Sequence, residues 1–174
     1  MRMQTRSLTR GALLAAVYAA LTLLCGLLGI GYGPVQLRVA EALTILPVFS
    51  PRAIAGLTVG CALANVLGML VGSSLGWIDV VCGTGATLLA GCLSWLLRRL
   101  RLRGLPVLAT LPPVLVNAVV VGLELTLVLQ NGWVTEVFWF HFTTVAIGQL
   151  LACTGLGLVL YVAIKKYNLE KLFL

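Results

Sequence analysis

Charged side chains are scarce in this chain, and acidic ones are the scarcest. Only 10% of the 174 residues are charged, with five acidic residues and one histidine, whereas 60% are hydrophobic and the mean hydropathy is +1.08. A water-soluble globule of this size needs more polar surface than such a composition can supply. The composition therefore predicts an all-α integral membrane protein in contact with the lipid bilayer.

Sequence motifs for chemistry are also missing. The chain has no G-x-x-x-x-G-K-[ST] run, so it cannot hold nucleotide phosphates in a P-loop, and any ATP energy must come from partner proteins. We find no nucleophile paired with a base, so we predict that the chain is not an enzyme and has no catalytic residues. The five cysteines lie in apolar runs without C-x-x-C spacing, and we interpret them as packing residues rather than a metal site.

Six apolar segments alternate with polar turns. They predict a single transmembrane domain, residues 1–174, formed as a six-transmembrane-helix bundle by residues 11–30, 35–50, 52–72, 79–97, 106–130 and 138–164. The second segment is unusual, because a helix over 35–50 covers only about 24 Å of a hydrocarbon core about 30 Å thick. We therefore expect it to be short, with its polar end in a protein-lined cavity.

The few charges are distributed unevenly along these segments. Six helices place both termini on one side, together with all but one of the twelve basic residues, and only Arg38 lies toward the other side. Under the positive-inside rule the basic side is cytoplasmic, which accounts for the net charge of +7 without a nucleic acid partner. Glu41, Asp79 and Glu124 lie toward the outside, so the outer half is acidic.

Residues 33–47 place an amide, a guanidinium and a carboxylate at the start of the second apolar segment. Polar groups in hydrocarbon are costly and tend to face partners or a cavity, so we interpret this stretch as part of a ligand site. Further polar side chains lie at similar depths, about 9–15 Å below the predicted outer helix ends. The predicted substrate-binding residues are Gln36, Arg38, Glu41, Asn65, Asp79, Glu124 and Gln149.

A second interpretation of the same residues is helix packing. Each polar side chain could separately join two helices, and Arg38 and Glu41, spaced i and i+3, could form a local ion pair. We favour the shared cavity, because intramembrane carboxylates without a function are rare.

Small residues recur along the first segment. Alanines are spaced every four residues in two rows, which together form the predicted partner-docking residues Ala12, Ala15, Ala16, Ala19 and Ala20. A smooth face of this kind allows another helix to approach closely. The partner helix could belong to another protein or to the same bundle, and the spacing alone does not separate these two possibilities.

Three stretches carry a family resemblance. Residues 35–47 read Val-Gln-Leu-Arg-Val-Ala-Glu-Ala-Leu-Thr-Ile-Leu-Pro, a Q-x-R-x-x-E-A-L-x-x-L-P motif, and Ala64 and Asn65 and the run 77–83 follow it. In a small, basic six-helix chain with an alanine stripe, this pattern resembles the substrate-binding S-components of energy-coupling-factor (ECF) transporters, and among them the QueT-type queuosine-precursor family.

The resemblance implies a bacterial importer in the plasma membrane. Its S-component, a multi-pass membrane protein, would capture a queuosine precursor or queuine, which are 7-deazaguanine derivatives, from outside the cell. It would then dock on a transmembrane T-component driven by two ATPase subunits. ATP would be used by those partners, and this chain would bind no cofactor itself.

The chemistry of the candidate residues fits such a ligand independently. A guanine edge offers adjacent N–H donors and a carbonyl, which a carboxylate and an amide or guanidinium can recognise. The surplus of outer carboxylates over arginine would suit a cationic aminomethyl side arm. Two alternatives stay open: an S-component for another vitamin such as cobalamin, and a proton-coupled secondary transporter that uses Glu41 and Glu124 as its relay.

Overall fold

The computed structural model describes residues 2–29, 37–71, 75–130 and 132–172. Six α-helices are found in these ranges: α1 Arg2–Leu27, α2 Arg52–Leu70, α3 Trp77–Leu97, α4 Leu111–Gln130, α5 Thr135–Gln149 and α6 Gly157–Lys166. Shorter elements complete the described chain. They are a 3-10 helix Val39–Val48, single 3-10 turns at Val107–Thr110 and Leu169–Leu172, and a π-helical segment Leu150–Leu156.

Five helical stretches in the described ranges, not six, are long and apolar enough to cross a membrane. They are Ser7–Leu27, Arg52–Leu70, Trp77–Leu97, Val107–Gln130 and Thr135–Lys166. The last stretch is continuous because the π-helical segment joins α5 to α6 without a turn. Residues 35–50 are not among these stretches, as expected for a segment too short to cross the hydrocarbon core, so the bundle has five spanning stretches and one short helix in the described ranges.

The short helix Val39–Val48 takes the place of the predicted second span. Its ten residues rise only about 20 Å in 3-10 geometry. It contains Pro47, which has no N–H to donate, and the chain turns at Ser50 before α2. The expectation that this element is short is confirmed, and its polar end at Glu41 is buried within protein.

Helices α1 and α2 run in the same direction and touch closely. A Cβ atom at Gly56 would lie 3.0 Å from the backbone oxygen of Gly11, and one at Gly60 would lie 2.9 Å from that of Ala15. Because both contacts advance together along the two helices, the chain between α1 and α2 must return through the thickness of the bundle. The short helix makes this return.

The short helix lies in the centre of the bundle. Ile45 and Leu46 are almost fully buried and pack with Ala53 of α2 and Tyr161 and Ile164 of α6. Its exit is held by aromatic stacking, since the rings of Phe49 and Tyr161 lie 5.1 Å apart at 23°. The short helix is thus a core element enclosed by the five long stretches.

The long helices turn leucine and valine side chains outward. Leu63 and Leu67 of α2 and Leu88 and Leu89 of α3 are all exposed in the isolated chain. Exposure of so much apolar surface to water is unfavourable, whereas contact with lipid tails is not. The described chain is therefore all-helical, with an apolar surface suited to a lipid bilayer.

Candidate functional site

The carboxylate of Glu41 is buried and is held by a tyrosine. Glu41 is 2% exposed, and the hydroxyl of Tyr18 donates a hydrogen bond of 2.6 Å to its Oε1. The hydroxyl of Thr44 donates to the backbone oxygen of Glu41 over 2.6 Å, which holds the turn that carries the side chain. In the described part of the chain, Oε2 of Glu41 is buried without a hydrogen-bond partner.

Glu124 is a second buried carboxylate, on α4. It is 4% exposed, and among the described residues neither of its oxygens has a hydrogen-bond partner. Its charge interacts with Asp79 and with Arg38, so it faces the side of the bundle where the other candidates lie. A buried carboxylate costs several kcal/mol in desolvation unless something pairs with it, which makes Glu124 a candidate to contact a polar or cationic ligand group.

Arg38 lies at the start of the short helix and connects these acids electrostatically. It is half-buried, and its charge acts on Asp79, Tyr18 and Glu41. Four predicted residues, Arg38, Glu41, Asp79 and Glu124, thus form one group, which we call the polar cluster. It combines one guanidinium with three carboxyl groups.

Arg38 and Glu41 do not form the ion pair that their i, i+3 spacing suggested. Within the described ranges Arg38 makes no ion pair with Glu41, and the ion pair observed there joins Lys165 to Glu170 at the other end of the bundle. The backbone at Arg38 is extended (φ −98°, ψ 97°) rather than helical, so the two side chains do not share a helical face. Tyr18 takes the place that the spacing suggested for Arg38.

Asn65 links α2 to α3 beside the polar cluster. Its Nδ2 donates to the backbone oxygen of Asp79 over 3.0 Å and lies 3.6 Å from Sγ of Cys61. Asp79 is itself buried in the first turn of α3, where a carboxylate is favoured by the helix dipole. This hydrogen bond joins two helices, as the helix-packing interpretation of the polar residues predicts. It also fixes the position of Asp79.

Gln149 lies at the end of α5, directly before the π-helical segment. It is buried, and its Oε1 accepts a hydrogen bond of 3.0 Å from Sγ of Cys153. Cys153 lies within electrostatic range of Glu41, so Gln149 approaches the polar cluster through this cysteine. Gln36, the remaining predicted residue, lies outside the described residues.

The sequence interpretation missed Tyr18. This residue is 1% exposed, in the middle of α1, and its hydroxyl finds its partner 23 positions further along the chain. A tyrosine buried within a membrane helix needs a hydrogen-bond partner, and that requirement was the available signal. The pattern of apolar residues does not reveal Tyr18, because tyrosine counts in that pattern as one more hydrophobic residue.

The alanines of α1 do not form one face. Ala15 and Ala19 are buried, at 3% and 6% exposure, and Ala15 packs against Gly60 of α2. Ala12, Ala16 and Ala20 are exposed on another side of the helix. The prediction that Ala15 and Ala19 dock a partner is therefore wrong, because their small side chains instead let α2 approach. The prediction of a docking face now concerns only the three exposed alanines.

A cavity of about 150 Å³ lies at the basic end of the bundle, away from the polar cluster. Its lining consists of Val48, Phe49, Arg101, Tyr161, Lys165 and Glu170. None of these belongs to the predicted ligand site, and the pairing of Lys165 with Glu170 already satisfies two of its charges.

Spanning helices around a core of buried carboxylates define a multi-pass membrane protein with an internal polar site. Comparison with known protein families identifies the family, because the model of the QueT transporter family matches residues 8–166. The chain belongs to the QueT transporter family. This family consists of transporters and not of enzymes, and the five apolar stretches of this chain indicate a multi-pass membrane protein.

One curated relative supports this assignment. The chain is 40% identical over 77 residues to the queuosine precursor transporter QueT of Lactococcus lactis subsp. cremoris (strain MG1363). The similarity covers 44% of this chain and 42% of the relative, so it spans less than half the length of the curated protein. No solved structure matches the chain.

Proposed function

We propose that this protein is the substrate-binding S-component of an ATP-driven ECF importer that captures a queuosine precursor or queuine from outside the cell. The observation that carries the proposal is a pair of buried carboxylates, Glu41 and Glu124, with oxygens that have no hydrogen-bond partner among the described residues, in a chain of the QueT transporter family. The name of the Lactococcus relative supports the choice of ligand.

The polar cluster suits a 7-deazaguanine. The guanine edge carries adjacent N–H donors, which carboxylate oxygens accept, and a carbonyl oxygen, to which Arg38 can donate. Three carboxyl groups against one guanidinium leave a negative surplus, which favours a cationic aminomethyl side arm. The same surplus gives no particular advantage to cobalamin, which would also require a far wider entrance.

The proposal also includes the orientation of the protein in the membrane and the partners that supply energy. The basic end of the bundle, with Arg101 and Lys165, faces the cytoplasm under the positive-inside rule, so the polar cluster lies toward the outside. The exposed alanines of α1, Ala12, Ala16 and Ala20, dock on the T-component. Two ATPase subunits of that module hydrolyse ATP, and this chain binds no cofactor.

The experiment is a calorimetric binding screen on the purified protein. We expect tight binding of an aminomethyl-bearing 7-deazaguanine and of queuine, and no binding of cobalamin at the same concentrations. Binding of cobalamin without binding of any deazaguanine would overturn the ligand assignment.

Energisation requires a separate measurement, because buried carboxylates can also relay protons. Uptake is measured in vesicles that contain this protein alone, under a proton gradient and without ATP. Transport under those conditions would favour the proton-coupled carrier, with Glu41 and Glu124 as its relay, over the ECF assignment. We expect no transport until the T-component, the ATPase subunits and ATP are added.

A further inference from the structure

We infer that Tyr18 is a positioning residue for ligand binding, which holds one oxygen of Glu41 so that the other faces the ligand. This inference rests on the proposed function, since it assumes that Glu41 contacts the transported molecule. Tyr18 itself is 1% exposed, and it acts through Glu41 rather than by contact with the ligand.

The hydrogen bonds around Glu41 divide its carboxylate into two unequal oxygens. Oε1 accepts from the Tyr18 hydroxyl over 2.6 Å, whereas Oε2 has no partner among the described residues. A hydrogen bond to one oxygen restricts rotation of the carboxylate and so restricts the direction in which its second oxygen points. Such a pre-organised acceptor binds a ligand N–H without first losing rotational freedom.

Tyr18 is held in place by the close approach of α1 and α2. A Cβ atom at Gly60 would lie 2.9 Å from Cβ of Tyr18 and 2.9 Å from the backbone oxygen of Ala15. The glycine therefore allows the tyrosine to lie against α2, and Leu57 and Cys61 of α2 pack around it. A side chain confined in this way has little freedom to leave Glu41.

The link also connects two parts of the chain that the membrane topology keeps separate. Tyr18 belongs to a spanning helix, whereas Glu41 belongs to the short central helix 23 positions later. This side-chain hydrogen bond therefore joins α1 to the short helix. Removal of the hydroxyl should therefore free the Glu41 carboxylate without removing any charge.

The test is a double-mutant cycle on ligand affinity. Tyr18→Phe removes only the hydroxyl, and we expect it to weaken binding of an aminomethyl 7-deazaguanine about tenfold. In a Glu41→Ala background, which has no side-chain acceptor at position 41, we expect the same change to have much less effect, because Tyr18 then has no partner to position. This non-additivity is the readout that a merely structural role for Tyr18 would not produce.

Thr22→Val is the matched control. Thr22 is a buried hydroxyl residue on the same helix, and its Oγ1 donates to the backbone oxygen of Tyr18 over 2.9 Å rather than to Glu41. We expect Thr22→Val to leave affinity within about twofold of the parent. If Tyr18→Phe fails to fold, 4-methylphenylalanine at position 18 fills the same volume without a donor and should reproduce the tenfold loss.

The outcomes separate this inference from the proposed function. Unchanged affinity in Tyr18→Phe, with a clear loss in Glu41→Gln, would overturn the positioning role and leave the ligand site intact. An equal loss from Tyr18→Phe in both backgrounds would also overturn it, because Tyr18 would then act independently of Glu41. Unchanged affinity in Glu41→Gln would instead contradict the assignment of Glu41 to the ligand site.

Discussion

Asn65 occupies the space that a side chain at position 83 would fill. A Cβ atom at Gly83 would lie 2.7 Å from Nδ2 of Asn65 and 3.5 Å from Oδ1 of Asp79. The absence of a side chain on α3 is therefore what allows Asn65 of α2 to reach the backbone oxygen of Asp79. Contacts of this kind, between residues on different helices, determine how the polar cluster is arranged.

This relationship predicts that Gly83→Ala is harmful although alanine favours helices. The added methyl group must displace the Asn65 amide, which breaks its hydrogen bond to Asp79 and shifts a member of the polar cluster. Gly85→Ala, on the same helix, adds a methyl group with no atom within 4 Å and is the matched control. We expect Gly83→Ala to be less stable than Gly85→Ala by about 1–3 kcal/mol, measured by unfolding in detergent. Equal stability of the two variants would contradict the close packing of Asn65.

A second prediction concerns the charge of Glu124. Glu124→Gln keeps the shape of the side chain but replaces a carboxyl group whose oxygens have no hydrogen-bond partner among the described residues. We expect ligand affinity to fall by about 1.5–3 kcal/mol, or roughly 10-fold to 150-fold, as for the loss of a charge-assisted hydrogen bond. Glu136→Gln is the control, because Glu136 is exposed in the first turn of α5 and should not affect binding. Folded Glu41→Gln and Glu124→Gln variants that both bind as tightly as the parent would show that the ligand binds elsewhere.

A third prediction distinguishes the guanidinium of Arg38 from a simple positive charge. Arg38→Lys keeps the charge but removes the planar fork that can donate to paired acceptors, so we expect a clear loss of affinity, of about tenfold. Arg99→Lys, at an exposed position of the basic end, should bind normally. The measurement is calorimetric affinity together with thermal stability in detergent. If Arg38→Lys retains both, the site needs at most a positive charge at position 38 and not the planar fork.

The fourth prediction uses the two sides of α1. Ala16 is exposed and Ala15 is buried against α2, so the same bulky substitution should have opposite consequences at adjacent positions. We expect Ala16→Trp to retain ligand binding but to lose co-purification with the T-component and energised uptake, because the indole ring separates the docking helices. Ala15→Trp should instead overpack the α1–α2 contact and damage folding and binding together.

The docking assignment can fail in two ways. Normal uptake by Ala16→Trp with retained co-purification would show that the exposed alanines face lipid. A misfolded Ala16→Trp protein without ligand binding would show that this side of α1 is packed internally. Affinity of the isolated protein and recovery of the assembled transporter therefore have to be measured on the same preparation.

The sequence by itself determined that this protein lies in a membrane and is helical. Hydropathy and segment length are local properties, so the apolar runs predicted the five spanning stretches to within a few residues, and the length of segment 35–50 indicated a short element. The scarcity of acidic residues directed attention to Glu41, Asp79 and Glu124, because a buried charge is costly wherever the chain folds. These inferences did not require knowledge of which helices touch.

Only the tertiary structure decided which side chains meet. The partner of Glu41 is Tyr18 and not the nearby Arg38, and the alanines of α1 divide into a buried pair and an exposed row. Both results depend on the rotation of α1 about its own axis. That rotation is set by contact with α2 at Gly56 and Gly60, where the two helices approach so closely that an added Cβ atom would lie about 3 Å from a backbone oxygen of α1. Hydropathy contains no information about such a contact, because it is a property of two distant segments rather than of either one.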